Sequence, residues 1–337
     1  MENASNNNSE ILFIYECVTC NPNGDPDDEN KPRMDYNSNR NLISDVRLKR
    51  YIRDFISNSF KGDNKKKIFV SQYEGAAVNA KTSLANILER KNEKKIKLKD
   101  EEILKFLTSA IDVRMFGAVV PDVTSEKTKG NLTFTGPIQF NWGYSLNKID
   151  GPMSSSGITS HFHSGQQSEE SEASKGTGAM GKDYRLAYSL VAFYGIINGK
   201  RAEHTKLTQE DIILFDKAIL NALQMEANTR SKIGQTPLLY TRIEYNNNDY
   251  FKGDLRKYVK IAAKDSKEMN FEDTIKLRST NDYKLDLSKL KEKINLEKVE
   301  KIHFWKNEDL ELLGWDFRND NSNKIIKLNP EDSNREK

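Results

Sequence analysis

The stretch ILFIYECV, residues 11–18, is an apolar run of strand length and predicts a strand buried on both faces. Helix signals begin at Ser44, a good N-cap residue. Leu48, Tyr51, Ile52, Phe55 and Ile56 then fall on one helical stripe, with Arg47, Lys49, Arg50 and Arg53 off it. Two shorter helical patterns follow, LANILER and EEILKFLTSAI, separated by the charged stretch KNEKKIKLKDEE. The segment DVRMFGAVV, residues 112–120, predicts a strand. From Ile138 to Asn147 the alternation is strict: Ile138, Phe140, Trp142, Tyr144 and Leu146 are apolar, and the residues between them are not. That predicts a single half-buried strand. Further strands are predicted at 184–197 (YRLAYSLVAFYGII) and 237–245 (PLLYTRIEY). Between them Thr208 to Met225 predicts a helix, with Ile212, Phe215, Ile219, Ala222 and Leu223 as its stripe. Thr208 and Asp211 stand at capping-box spacing.

The resulting order is β-α-insertion-β-excursion-β-α-β. It predicts an α+β fold with a ferredoxin-like or RNA-recognition-motif (RRM) core. The core is divided into 10–60, 112–147 and 184–246; an insertion occupies 61–111, an excursion rich in Ser, Gly and Glu occupies 148–183, and an extension covers 247–330.

Composition narrows the function classes. The 337 residues carry 53 Lys and Arg against 50 Asp and Glu, a net charge of +3 too mild to imply nucleic acid by itself. Distribution says more: from Arg47 to Lys67 there are eight Lys or Arg and two Asp, a local excess of six. The mean hydropathy is −0.76, and no apolar run approaches the roughly 20 residues of a spanning helix. The N-terminal residues have no signal-peptide pattern. A cytoplasmic protein without membrane attachment is expected.

Four constellations invite chemistry. Cys17 and Cys20 form a C-x-x-C, which His161 and His163 would have to complete for zinc. Strand alternation puts the two thiols on opposite faces, so ordinary thiols are expected. Gly176 to Lys182 fits both G-x-G-x-x-G and G-x-x-x-x-G-K, but Asp183 stands where a phosphate loop needs Ser or Thr, and no apolar strand precedes it. It reads as a glycine hinge, with an unrelated phosphate-binding enzyme as the weaker reading. Asp25, Asp27, Asp28 and Asp35 cluster in CNPNGDPDDENKPRMD, as Mg²⁺-dependent phosphoester cleavage would need, yet Asp beside Gly and Pro is also ordinary turn chemistry. The basic set Arg33, Arg47, Lys49, Arg50 and Arg53 follows that turn, and Arg forks with Asn amides suit phosphate oxygens.

NPNGDPDDENKPRMD followed by SDVRLKRYIRDF resembles the signature of CRISPR-associated backbone subunits of type I interference complexes, the Cascade family, most like the I-B and I-C branches. DVRMFGAVV, TGPIQF and GTGAMGKDYRLAYSLVAFYG resemble further blocks in the same order, so the likeness runs from about residue 11 to 245. It implies a hand: a modified RRM palm, a finger insertion at 61–111 and a thumb excursion at 148–183. It implies a crRNA-binding subunit that oligomerises along the guide and presents it to target DNA, without catalysis, cofactor or metal. Partners would be CRISPR RNA, target DNA through the guide heteroduplex, further copies of the chain, a large subunit, an end-capping subunit and a crRNA-processing endonuclease. Expected RNA contacts are Asn21, Asn23, Arg33, Asn37, Arg47, Lys49, Arg50, Arg53, Arg114 and Lys182, with Met153, Phe162 and Met180 as wedges between guide bases. Since any spacer must be accepted, contacts should reach phosphates and sugars and leave base edges free. The alternative is a metal-dependent ribonuclease acting on target RNA through Asp25, Asp27 or Asp28.

Overall fold

The computed structural model describes residues 7–73, 76–91, 96–126, 130–159, 180–315 and 323–331. Its strands used below are β1 (Ser9–Cys20), β2 (Arg40–Ile43), β3 (Ile138–Phe140), β4 (Gly143–Ser145), β5 (Met153–Thr159), β6 (Met180–Ile197), β7 (Gln235–Tyr245), β8 (Val299–Lys306) and β9 (Ile325–Lys327). The helices are α1 (Asp45–Ser59), α2 (Ala80–Leu88), α3 (Asp100–Ser109), α4 (Ile111–Phe116), α5 (Gly199–Thr205) and α6 (Gln209–Glu226).

β1 is buried on both faces, as its apolar run predicts. Ile11, Phe13, Tyr15 and Cys17 enter one core, and Leu12 and Ile14 enter another. It pairs antiparallel with β6 on one side and β7 on the other. The main sheet runs β9-β8-β7-β1-β6-β4-β2, with β3 and β5 also on β6. In the predicted four-strand unit the lateral order is therefore fourth, first, third, second. α1 and α6 lie against each other over the first core, through Leu48, Ile52, Phe55 and Ile56 of α1 and Phe215, Ile219 and Leu223 of α6. Ser44 caps α1, and Thr208 with Asp211 forms the capping box of α6.

Two predicted elements differ. The single strand over 138–147 is two strands. Phe140 pairs with Gly195 and Tyr144 with Ala192, so four steps on one side match three on the other. The extra residue is a bulge, and it exchanges the faces. Ile138 and Phe140 are buried before it; Gly143, Ser145 and Asn147 are buried after it, while Trp142 is 43% exposed. Alternation was strict in sequence, but the backbone slips by one where Asn141 hydrogen-bonds Tyr194.

The strand predicted over 112–120 begins instead as helix α4, ended by Gly117 at φ +78°, and only Gly117–Val120 is extended. All six helical residues are buried, so no polar stripe betrays the period. α4 faces two cores: Ile111, Met115 and Phe116 join the core under the sheet, and Val113 joins a separate cluster with Phe69, Leu84, Leu98, Phe106, Val120 and Leu132. Between these apolar positions Asp112 meets Arg53, and Arg114 meets Asp211.

The other face of the sheet is covered by the residues beyond 247. Leu255, Tyr283, Leu285, Leu290, Leu310 and Trp315 pack with Leu12, Ile14, Tyr188 and Leu190. Buried Glu10 anchors this cover. It accepts from the hydroxyls of Tyr194 and Tyr245 and from the backbone N–H groups of Lys252 and Gly253 at 2.8 and 2.7 Å.

The Asp112 carboxylate accepts from Arg53 Nε at 2.9 Å and from the N–H groups of Phe69 and Val70 at 2.7 and 3.1 Å. Asp112→Ala would strand a buried guanidinium and two N–H groups. It should lower the unfolding free energy by about 3–5 kcal/mol, read from urea denaturation. Arg50→Ala removes only the half-exposed pair with Asp54 and should stay within about 0.5 kcal/mol of the parent.

Candidate nucleic-acid interface

The Asn-Pro-Asn-Gly-Asp turn at the end of β1 forms a small hairpin, Gly24–Asp25 against Lys31–Pro32. Position 24 admits only glycine: an added Cβ would lie 2.0 Å from Asn30 Oδ1 and 2.8 Å from Asn30 O. Asn23 ties the hairpin to α1, its Oδ1 accepting from the N–H and Oγ of Ser44 at 2.9 and 3.0 Å. Asn21 is buried, its Nδ2 donating to Asn30 O at 2.8 Å.

The carboxylates organise this hairpin. Asp25 accepts from Arg33 Nη1 at 2.8 Å and from the N–H of Asp27, and Asp28 pairs with Lys31 at 2.6 Å. Asp35 accepts from Ser38 and the Asn37 N–H, and these bonds hold its carboxyl below the usual range. Asp27 is exposed, and among the described residues no three His, Cys, Asp or Glu gather as metal ligands.

Several cations converge where β1 ends. The Arg47 guanidinium lies 4.2 Å over the Tyr51 ring and donates to its hydroxyl. Gln235 donates to the same hydroxyl at 3.1 Å. Lys232 Nζ donates to Asn21 O at 2.6 Å; burial, with Arg47 adding to it, pushes its pKa down to about 8. Arg185 bridges Thr19 O and Arg230 O. On the far side Lys182 and Tyr184 both donate to Glu29, and Lys31 sits 5.4 Å over the Tyr184 ring, clasping the hairpin to β6. Among the described residues, three buried polar atoms here, Asn21 Oδ1, Arg47 Nε and Gln235 Oε1, have no hydrogen-bond partner.

The expected contact residues therefore divide. Asn21, Asn23, Arg33, Arg47 and Lys182 gather around the hairpin. Asn37 is exposed on a neighbouring turn. Arg50 is held by Asp54 on the outer face of α1. Lys49 is buried between Asp45 and Gln139, at 3.0 and 2.9 Å. Arg53 is 7% exposed with its Asp112 partner, and Arg114 is 5% exposed, spending its donors on Asp211, Leu107 O, Thr108 O and Lys65 O. Lys49 is packed between α1 and β3, and Arg53 and Arg114 are packed between the helices and the insertion. Sequence reasoning missed Lys232, Arg230, Arg185 and Gln235. Arg230, Lys232 and Gln235 show in the sequence as a polar cluster leading into β7, whereas Arg185 lies on β6 and carries no such signal.

Other expectations also resolve by position. Met153 is 46% exposed at the start of β5, Met180 opens β6, and Phe162 lies outside the described residues. Gly181 and Lys182 sit within β6, not in a loop opening a helix, which removes the phosphate-loop geometry. Cys17 and Cys20 do not point apart: both are fully buried in the first core, because Thr19 at φ +50° re-aims the chain. Burial pushes the Cys17 thiol up, and both cysteines are free. His161 and His163 lie outside the described residues. Among the described residues no helix is long and apolar enough to cross a membrane.

Residues 7–288 match the family described as CRISPR-associated protein Cas7. A protein of that description from Haloferax volcanii is 31% identical over 324 residues, covering 91% of this chain and 88% of its own. The backbone is similar to a chain in a structure titled "CRISPR RNA-guided surveillance complex, pre-nicking", with a TM-score of 0.52, 12% identity and coverage of 96% and 97%. At that identity the likeness concerns the fold.

Gly24→Ala should force the Asn30 side chain and backbone out of place. The expected result is a loss of about 1–3 kcal/mol and new protease cleavage confined to residues 24–32, mapped by mass spectrometry of limited digests.

Proposed function

This chain belongs to the CRISPR-associated protein Cas7 family, and from that premise we propose that it is a crRNA-binding backbone subunit of a type I interference complex, of the I-B or I-C kind. The observation that carries the RNA site is the convergence of Arg47, Lys232, Arg185 and Arg230 where β1 ends. Arg47 and Lys232 adjoin Asn21 and Gln235, with Arg185 and Arg230 beside Asp183, and no aromatic platform is offered. That chemistry holds phosphates and 2′-hydroxyls and reads no base edge. An ordinary RRM binds RNA across its open sheet face. Here that face lies beneath residues 255–315, which supports binding at the strand ends instead.

In this reading the β3/β4-β6-β1-β7 sheet with α1 and α6 is the palm. The insertion with its own core is the fingers, and the excursion on β5 and β6 is the thumb. Met153, Phe162 and Met180 remain candidates to wedge between guide bases. Successive copies would lie head to tail along the guide, a contact that does not close into a ring and so gives a filament. The guide would meet target DNA by pairing, beside large, end-capping and crRNA-processing subunits. No specific observation favours nuclease chemistry, since Asp25 and Asp28 are engaged by Arg33 and Lys31.

Protein purified with its partner subunits should carry RNAs of uniform length sharing repeat-derived ends. Arg47→Ala or Lys232→Ala should lower RNA affinity about equally for every spacer and flatten the salt slope by up to about one unit each. RNA-free protein from cells holding all partners, or a defect confined to some spacers, overturns the reading.

Lys232 also sets a pH dependence. Its free-state pKa of about 8 means the ammonium is present below pH 8 and lost above it. A phosphate alongside raises that pKa, so binding takes up a proton. Affinity should therefore fall as pH rises through about 8, and Lys232→Arg should flatten the profile, measured by filter binding at constant ionic strength.

A further inference from the structure

A second cationic site lies at the β4–β2 end of the sheet. β2 and β4 meet residues 256–274 around an open cleft of about 330 Å³. Its floor is a stack. The Arg40 guanidinium lies 4.5 Å from the Phe271 ring centre and 5.1 Å from that of Tyr144, and the Arg256 guanidinium lies 4.2 Å from Tyr144.

The charges in the cleft do not cancel. Arg256 is paired with Asp254 at 2.7 Å, and Lys260 with Glu268 at 2.6 Å. Arg40 donates to Ser145 O and makes no ion pair among the described residues, with Asp35 opposite it on the neighbouring strand as its source of negative charge. Lys257 is exposed, and its ammonium likewise has no partner among the described residues. Half-burial of Arg40 depresses its pKa, and the attraction of Asp35 on the neighbouring strand offsets that only in part. Trp142, whose carbonyl accepts from Arg256, and Tyr36, on the turn before β2, are 43% and 65% exposed nearby in the chain. Cations without ion-pair partners, interleaved with aromatic side chains, suit single-stranded nucleic acid, with phosphates on the cations and bases on the rings. An acidic peptide would use the charges and leave the rings unexplained.

We propose that this cleft binds a single-stranded nucleic acid other than the guide. The claim rests on the reading that the guide occupies the end of β1. In a complex that opens a DNA duplex by pairing one strand, the unpaired strand is the natural occupant by chemistry. The recognition is by phosphate and stacking, and it is independent of sequence.

The test uses the assembled, guide-loaded complex and a fluorescein-labelled oligothymidylate that cannot pair with the guide, followed by fluorescence anisotropy. Lys257→Glu and Arg40→Gln should each weaken oligothymidylate binding about fivefold to tenfold and reduce its salt slope by about one unit, while RNA content per protein stays unchanged. Lys200→Glu, outside the cleft, should leave the affinity within about twofold. Lys257→Glu alters an exposed, unpaired side chain, so it tests the site even if Arg40→Gln misfolds. Unchanged anisotropy in both variants overturns the proposal. Loss of guide RNA in the same variants overturns it too, by making the cleft part of the guide site. Loss of neighbouring subunits with oligothymidylate binding intact assigns the cleft to a protein partner and also overturns it. RNA-free parent complex would instead sink the guide-binding reading on which the claim stands.

Discussion

Double-sided burial of β1 is the constraint from which the rest follows. Odd positions from Ile11 to Cys17 feed the core beneath α1 and α6, and Leu12 and Ile14 feed the core beneath the C-terminal cover. A strand used up on both faces has only its ends left for function. The turn after Cys20, the start of α1 and the loop before β7 therefore become the available surface, and the cations collect there. Glu10 secures the arrangement from the opposite end. Its four donors come from β6, β7 and the first residues of the cover, so sheet and cover close over a single buried carboxylate.

Charge on α1 and α4 does two separate jobs, which is why it misleads when counted. Arg53 and Arg114 are buried with carboxylate partners and join the insertion to the helices of the sheet, and Lys49 is buried between Asp45 of α1 and Gln139 of β3. Breaking such pairs is costly, because one charge is left in a dry place. Arg47, in the first turn of α1, is stacked on Tyr51, and among the described residues its Nε has no partner. The difference between these arginines lies in partners far away in sequence. Asp112 is supplied by a helix that looked like a strand, and Asp211 by the capping box of α6.

Most of the sheet was legible because local pattern and burial agree there. α1 and α6 each carry a period that matches their surroundings, with caps to fix the helix starts, and β1 and β7 are apolar runs of strand length buried on both faces. Legibility failed where a second core or a backbone slip intervened. α4 is buried all round between two cores, so its period vanished. The 138–147 run had ideal alternation, yet one extra residue at Asn141–Trp142 turned the later side chains over. Thr19, in a left-handed conformation, did the same to the cysteine pair. For the candidate site, the hairpin and Arg47 were visible as a motif, while Lys232, Arg185 and Arg230 come from distant segments brought together by the register of β6 and β7 against β1.

β6 has a mechanical consequence. Its 18 residues run unbroken, but only from Leu186 onward do they pair with β1; Met180 to Arg185 pair with β5 alone. Six residues of extended chain carry this ribbon roughly 20 Å past the sheet. The irregularity in the ribbon falls on β5, leaving β6 as a continuous spar. Such a spar is rooted in the ladder that holds the centre of the fold, and it therefore works as a ruler: it sets Met180 a six-residue reach beyond the end of β1.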